Sequence, residues 1–91
     1  MNAKATAAKN KMQAMLDARD TDSLFSDLRV LEGQKVNGGT NEQRIVGAMI
    51  ADTIEHRHGL GDAMEAIYMD ENWYGTYLQA LELAYVAVVK D

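Results

Sequence analysis

With 91 residues, a net charge of −5 and neither cysteine nor proline, the chain excludes several protein classes before any motif is considered. The absence of cysteine removes disulfides, zinc–thiolate sites and thiol nucleophiles. The length supports one domain that buries roughly 60–65% of its unfolded surface, and 47% hydrophobic with 25% charged residues is a globular rather than a disordered balance.

The charge is unevenly spread. Residues 1–11 hold Lys4, Lys9 and Lys11 and no acid, whereas residues 12–91 set six bases against fourteen acids, leaving −8. An acidic body opposes phosphate backbones, so direct nucleic-acid binding is not expected. No apolar run approaches the ~18–20 residues that span a bilayer. The longest, Ala84 to Val89, reads as a buried helix end. The lysines of the N-terminal "MNAKATAAKNKMQ" have no apolar stretch behind them, which argues against a signal peptide. A soluble, cytoplasmic protein without membrane contact is the expectation.

Residues 3–18 are rich in alanine, lysine and methionine, good helix formers. Ala8, Met12, Met15 and Leu16 follow i, i+3, i+4 spacing, which predicts an amphipathic second half behind frayed first turns. Asp20, Thr21 or Asp22 caps a second helix, with Leu24, Phe25, Leu28 and Leu31 as its apolar stripe, Asp27 and Arg29 outside, and Gly33 as its C-cap. "GQKVNGGTN" is a loop, within which Asn37-Gly38 suits a tight turn. Thr40 followed by Gln43 is a capping box for a third helix, whose inner face is Ile45, Val46, Met49, Ile50 and Ile54 and whose end is Gly59. Asp62 followed by Glu65 reads as another cap, ahead of a short helix with Leu60, Met64, Ile67 and Tyr68 along its apolar edge. The last helix begins either at a Thr76–Gln79 cap or near Glu71, running through Gly75. Tyr77, Leu81, Ala84, Tyr85 and Val88 are expected to face inward. The fold class is therefore all-α: a compact bundle of four to five short helices forming a single domain over residues 1–91. Residues 1–11 form a basic segment that is either ordered or orders on binding.

Few constellations carry chemistry. His56 and His58 stand two apart, about 200° around a helix, so they cannot ligate one metal together. Asp52 with His56 and Glu55 with His58 each offer half a metal site, with Asp62 or Glu65 as further ligands. The simpler reading of Arg57-His58-Gly59 is a helix terminus, where cationic side chains meet the negative end of the dipole. Ser23 and Ser26 lack a nucleophile elbow, "NGG" lacks the lysine and strand of a phosphate loop, and "DENWYGTYLQAL" supplies too few oxygens for calcium. A helix-turn-helix over 62–69 and 72–88 would present Asp70, Glu71, Trp73 and Tyr74 to DNA without a base before Lys90. No catalytic residue, metal or cofactor is expected.

"MDENWYGTY" remains. Trp73, Tyr74 and Tyr77 crowd a glycine beside Asp70 and Glu71, and aromatic residues of these types often dominate interface energetics. The alternative is that Trp73 and Tyr77 plug the end of the bundle, with Tyr74 the most exposed of the three. The five internal methionines read as core filler.

The run "ARDTDSLFSDLRVLEG" followed by "NEQRIVGAMIADTIEHRHGL", through Glu42, Arg44, Val46, Ile50, Asp52, Glu55, Arg57 and His58, resembles small uncharacterised helical proteins of phages, mobile elements and their bacterial hosts, actinobacterial ones especially. The similarity covers residues 18–60. It supplies no site and implies a small accessory protein that binds a host macromolecule, including an inhibitor of host defence. The expected function is thus a non-enzymatic acidic module for protein–protein interaction, with Asp70, Glu71, Trp73, Tyr74 and Tyr77 as its partner-binding residues. The alternatives are a homodimeric structural protein and a metal-dependent enzyme using His56 or His58 with Asp52, Glu55 or Asp62.

Overall fold

The structure is a computed structural model, described here for residues 3–34 and 39–90. Its regular elements are all helical, as the patterning predicts: α1 (Ala3–Asp17), α2 (Thr21–Gln34), α3 (Asn41–His58), α4 (Gly61–Tyr68) and α5 (Tyr77–Tyr85), the last continued by a π-helical turn, Val86–Lys90. No strand occurs among the described residues. The expected Asn37-Gly38 turn lies outside them. The chain divides into two compact units, Met1–Ile50 and Ala51–Asp91, with the division inside α3.

In the first unit α1 is helical from Ala3, not frayed, yet it buries only Leu16. Ala8 and Met15 are exposed and Met12 is half-buried, so the predicted stripe contributes one anchor. An alanine–lysine helix has too little apolar surface to seat a whole face. Asp20 is the cap of α2: its Oδ1 accepts from the Ser23 N–H at 2.7 Å. Leu24, Phe25 and Leu28 are buried behind it, with Met49 and Ile50 of α3 also in the core. Asp27 pairs with Arg19 at 2.9 Å, an exposed bridge worth at most ~1 kcal/mol. Gly33 is not the C-cap. The helix runs through it to Gln34, and Gly33 is not in the left-handed conformation. The Thr40 capping box is present in both directions: the Gln43 N–H donates to Thr40 Oγ1 at 3.1 Å, and the Thr40 N–H donates to Gln43 Oε1 at 2.8 Å. Of the predicted α3 face Ile45 is exposed and Val46 half-buried, while Met49, Ile50 and Ile54 are buried.

The second unit buries Ala51, Ile54, Leu60, Met64, Ala80, Leu81 and Ala84, with α4 packed on α5. Gly59 ends α3 as predicted. Its φ of 62° is the left-handed conformation, and the Leu60 N–H reaches back to the Glu55 carbonyl at 2.9 Å, a Schellman closure. Asp62 does not cap α4. Leu60 leads straight from the Schellman turn into the helix with no side-chain cap, leaving Asp62 inside the first turn, where only its charge helps. Thr76 and Gln79 do form the predicted capping box of α5, so Gly75 stays outside the helix. The inward assignment of Val88 fails, since it is half exposed, and Ala84–Val89 is not a buried helix end: no residue of Val86–Lys90 is buried. Tyr77 is also more exposed than predicted. Of the methionines Met49 and Met64 fill the core, Met12 is half-buried, and Met15 and Met69 are exposed.

Candidate functional site

The segment from Asp70 to Tyr77 is built by four local devices. The Met69 N–H closes α4 on the Glu65 carbonyl at 2.9 Å. Asp70 then organises a tight turn: its Oδ1 accepts from the Asn72 N–H at 2.9 Å, and its carbonyl accepts from the Trp73 N–H at 3.0 Å. This is the Asx-turn chemistry that short acidic side chains favour. Next, the Trp73 indole lies over Gly75. A Cβ at that glycine would collide with Cζ2 and Cη2 of the ring and come within 2.9 Å of Gln79 Oε1. Finally, the Thr76 box starts α5, with Thr76 N–H to Gln79 Oε1 at 2.8 Å and Gln79 N–H to Thr76 Oγ1 at 3.1 Å.

These devices sort the aromatics. Trp73 is half-buried, and its Nε1–H is buried without an acceptor among the described residues. Tyr74, between Trp73 and Gly75 in the chain, is 92% exposed, and Asp70 and Glu71 are exposed as well. Tyr77 is tied inward by its hydroxyl, which donates to Glu55 Oε2 at 3.1 Å. Its ring stacks on Tyr68, with centroids 6.4 Å apart and planes 24° from parallel.

Burial, then the hydrogen bond to Glu55 and the negative charges of Glu55 and Asp52, push the Tyr77 phenol well above its ordinary range. Burial and the Glu55 charge raise Tyr68 as well. Both phenols therefore remain protonated donors at neutral pH. Beside this segment an apolar groove is lined by Trp73, Gly75, Gln79, Glu82, Leu83 and Val86.

The five residues singled out in the sequence thus divide by role. Tyr74, Asp70 and Glu71 face solvent, Trp73 pins the turn, and Tyr77 joins a Tyr68–Glu55 cluster that sequence reading missed. Tyr77 and Glu55 are 22 positions apart, and no local pattern links them.

The two histidines have another setting. His58 packs edge-on against Tyr85, with centroids 5.0 Å apart and planes at 66°, whereas His56 and Asp52 are exposed. Among the described residues no group of three or more His, Asp or Glu side chains is gathered to hold a metal. His56, Arg57 and His58 occupy the last turn of α3, ahead of the closing glycine. No described helix is long and apolar enough to cross a membrane. Comparisons with models of protein families, with curated proteins and with solved structures find no match to this chain.

Proposed function

We propose that the protein is a non-enzymatic, cytoplasmic interaction module that docks on another protein through Tyr74 and the carboxylates of Asp70 and Glu71. The observation that carries this reading is a large aromatic side chain 92% exposed on a turn held by its neighbours. A tyrosine on a held backbone offers wide contact area, and with only two side-chain torsions it loses little entropy on binding. Trp73 and Tyr77 support the surface from behind, through Gly75 and Glu55 respectively. We extend the proposal to a host protein that is bound and inhibited on the ground of the resemblance to phage and mobile-element proteins read in the sequence of residues 18–60.

The experiment is capture of a partner from host lysate by tagged protein, with a Tyr74→Ala variant beside it and circular dichroism on both. Loss of a dominant partner at equal helicity supports the surface. Capture unchanged by the substitution overturns it. A salt titration of the captured complex adds a distinction. Contacts made mainly by the acidic body, as in mimicry of nucleic acid, weaken steeply with ionic strength, whereas those of Tyr74 do not.

A further inference from the structure

We propose that the apolar groove between α1 and α3 seats an acidic amphipathic helix of a partner protein. The apolar stripe of that helix meets Met12, Ile45 and Val46, and its carboxylates meet the lysines of α1. The groove has a volume of about 370 Å³ and is lined by Ala5, Ala8, Lys9 and Met12 of α1 with Ile45, Val46 and Met49 of α3. A second groove of about 350 Å³ shares Met12 and Val46 with it and takes in Met15 and Val30. Ile45, Met15 and Val30 are 60%, 57% and 58% exposed, and they are the large exposed hydrophobic side chains among the described residues of the first unit. All three collect at these grooves. Scattered apolar residues on a surface are ordinary, but a gathered patch marks a contact surface. A groove between two helices takes a third helix, whose side-chain ridge lies in the depression.

Charge selects the occupant. Lys4, Lys9 and Lys11 are exposed, and none of them is paired with an acid among the described residues. No acid stands three or four residues from any of the three, so α1 does not use them for its own side-chain pairs. Lys4 lies in the first turn, where the positive end of the helix dipole disfavours a cation. Lys9 lines the groove itself, and Lys4 and Lys11, seven residues apart, share one side of the same helix. Across the groove, exposed Glu42 and exposed Arg44 offset each other ahead of Ile45, so the three lysines set the sign. A second copy does not supply the occupant. α2 and α4 carry acids but bury Leu24, Phe25, Leu28 and Met64 in their own cores. Residues 77–90 expose apolar side chains, but their one acid, Glu82, is balanced by Lys90. This inference concerns a face of the first unit and does not rest on the docking role of Tyr74.

The test is binding of two labelled peptides to the full chain, followed by fluorescence anisotropy. Both carry leucine at i, i+3, i+4, i+7 spacing. One has glutamate and alanine at the remaining positions, and the other has lysine in place of each glutamate. The glutamate peptide is expected to bind at least ~10-fold more tightly than the lysine peptide, and to weaken as salt rises. Lys4→Glu, Lys9→Glu and Lys11→Glu together should reverse that preference. Ile45→Glu should abolish binding of the glutamate peptide at unchanged helical circular dichroism, since the side chain it replaces is exposed. Tyr74→Ala should bind both peptides as wild type does, so that loss of the Tyr74 surface and loss of this groove are read separately. Failure of the glutamate peptide to bind, equal binding of the two peptides, or binding that survives Ile45→Glu overturns the proposal. So does a dimer mass in sedimentation equilibrium that Ile45→Glu returns to 10.1 kDa, which would give the groove to a second copy.

Discussion

The two corners of the second unit, at His58–Leu60 and at Asp70–Thr76, solve the same problem with opposite results at the surface. Each joins two helices and satisfies backbone groups locally. At the first corner the closing residue turns inward: Leu60 is fully buried, and His58 packs on Tyr85. At the second the backbone is held as firmly, by Asp70, Trp73 and the Thr76 box, but Tyr74 is left in solvent. The glycines differ in the same way. Gly59 is needed for its positive φ and has open space around it, whereas Gly75 is needed for the room that the Trp73 ring occupies. The first corner is a structural joint. The second is a joint that also presents a side chain, and exposure on a fixed frame distinguishes a docking candidate from an ordinary turn.

The largest effect should come from breaking the first corner. Leu60→Ala removes a fully buried side chain and should cost ~2–5 kcal/mol in denaturant unfolding. Gly75→Ala should cost ~1–3 kcal/mol, because the indole must move, and should change tryptophan emission at the same time. Gly59→Ala should cost ~1–2 kcal/mol through its backbone conformation and leave that emission alone.

A smaller effect is expected at alkaline pH. The fold favours the neutral Tyr77 phenol, so the stabilisation from its raised pKa is complete below about pH 10, the ordinary value, and is lost as pH climbs through the folded pKa. Tyr77→Phe should flatten that decline when unfolding is followed between neutral pH and the upper end of the range. The smallest effect belongs to Tyr74→Ala, which should change stability by no more than ~0.5 kcal/mol.

Legibility from sequence followed the range of the interaction. The capping boxes at Thr40 and Thr76 could be read because a hydroxyl and an amide three residues apart satisfy each other's backbone without help from elsewhere. Gly59 could be read for the same reason, as a left-handed residue at the end of a strongly patterned helix. Asp62 misled because the cap pattern is real but the preceding Schellman turn had already started the helix. In α1, periodicity overstated burial, since spacing says which residues share a face and not whether anything covers it. The reading of Ala84–Val89 as a buried helix end failed beyond Tyr85, because an apolar run does not show what covers it. Of the candidate site, the residue types and the exposure of Tyr74 were visible in the sequence. The packing of Trp73 on Gly75 and the Tyr77–Glu55 hydrogen bond were not, because both depend on where folded side chains come to rest.

The most direct test of the central claim is partner capture by wild type and by Tyr74→Ala, at matched helicity and matched stability. The account predicts one dominant partner for wild type and its loss in the variant. Equal capture by both would contradict the claim that the second corner is a docking surface.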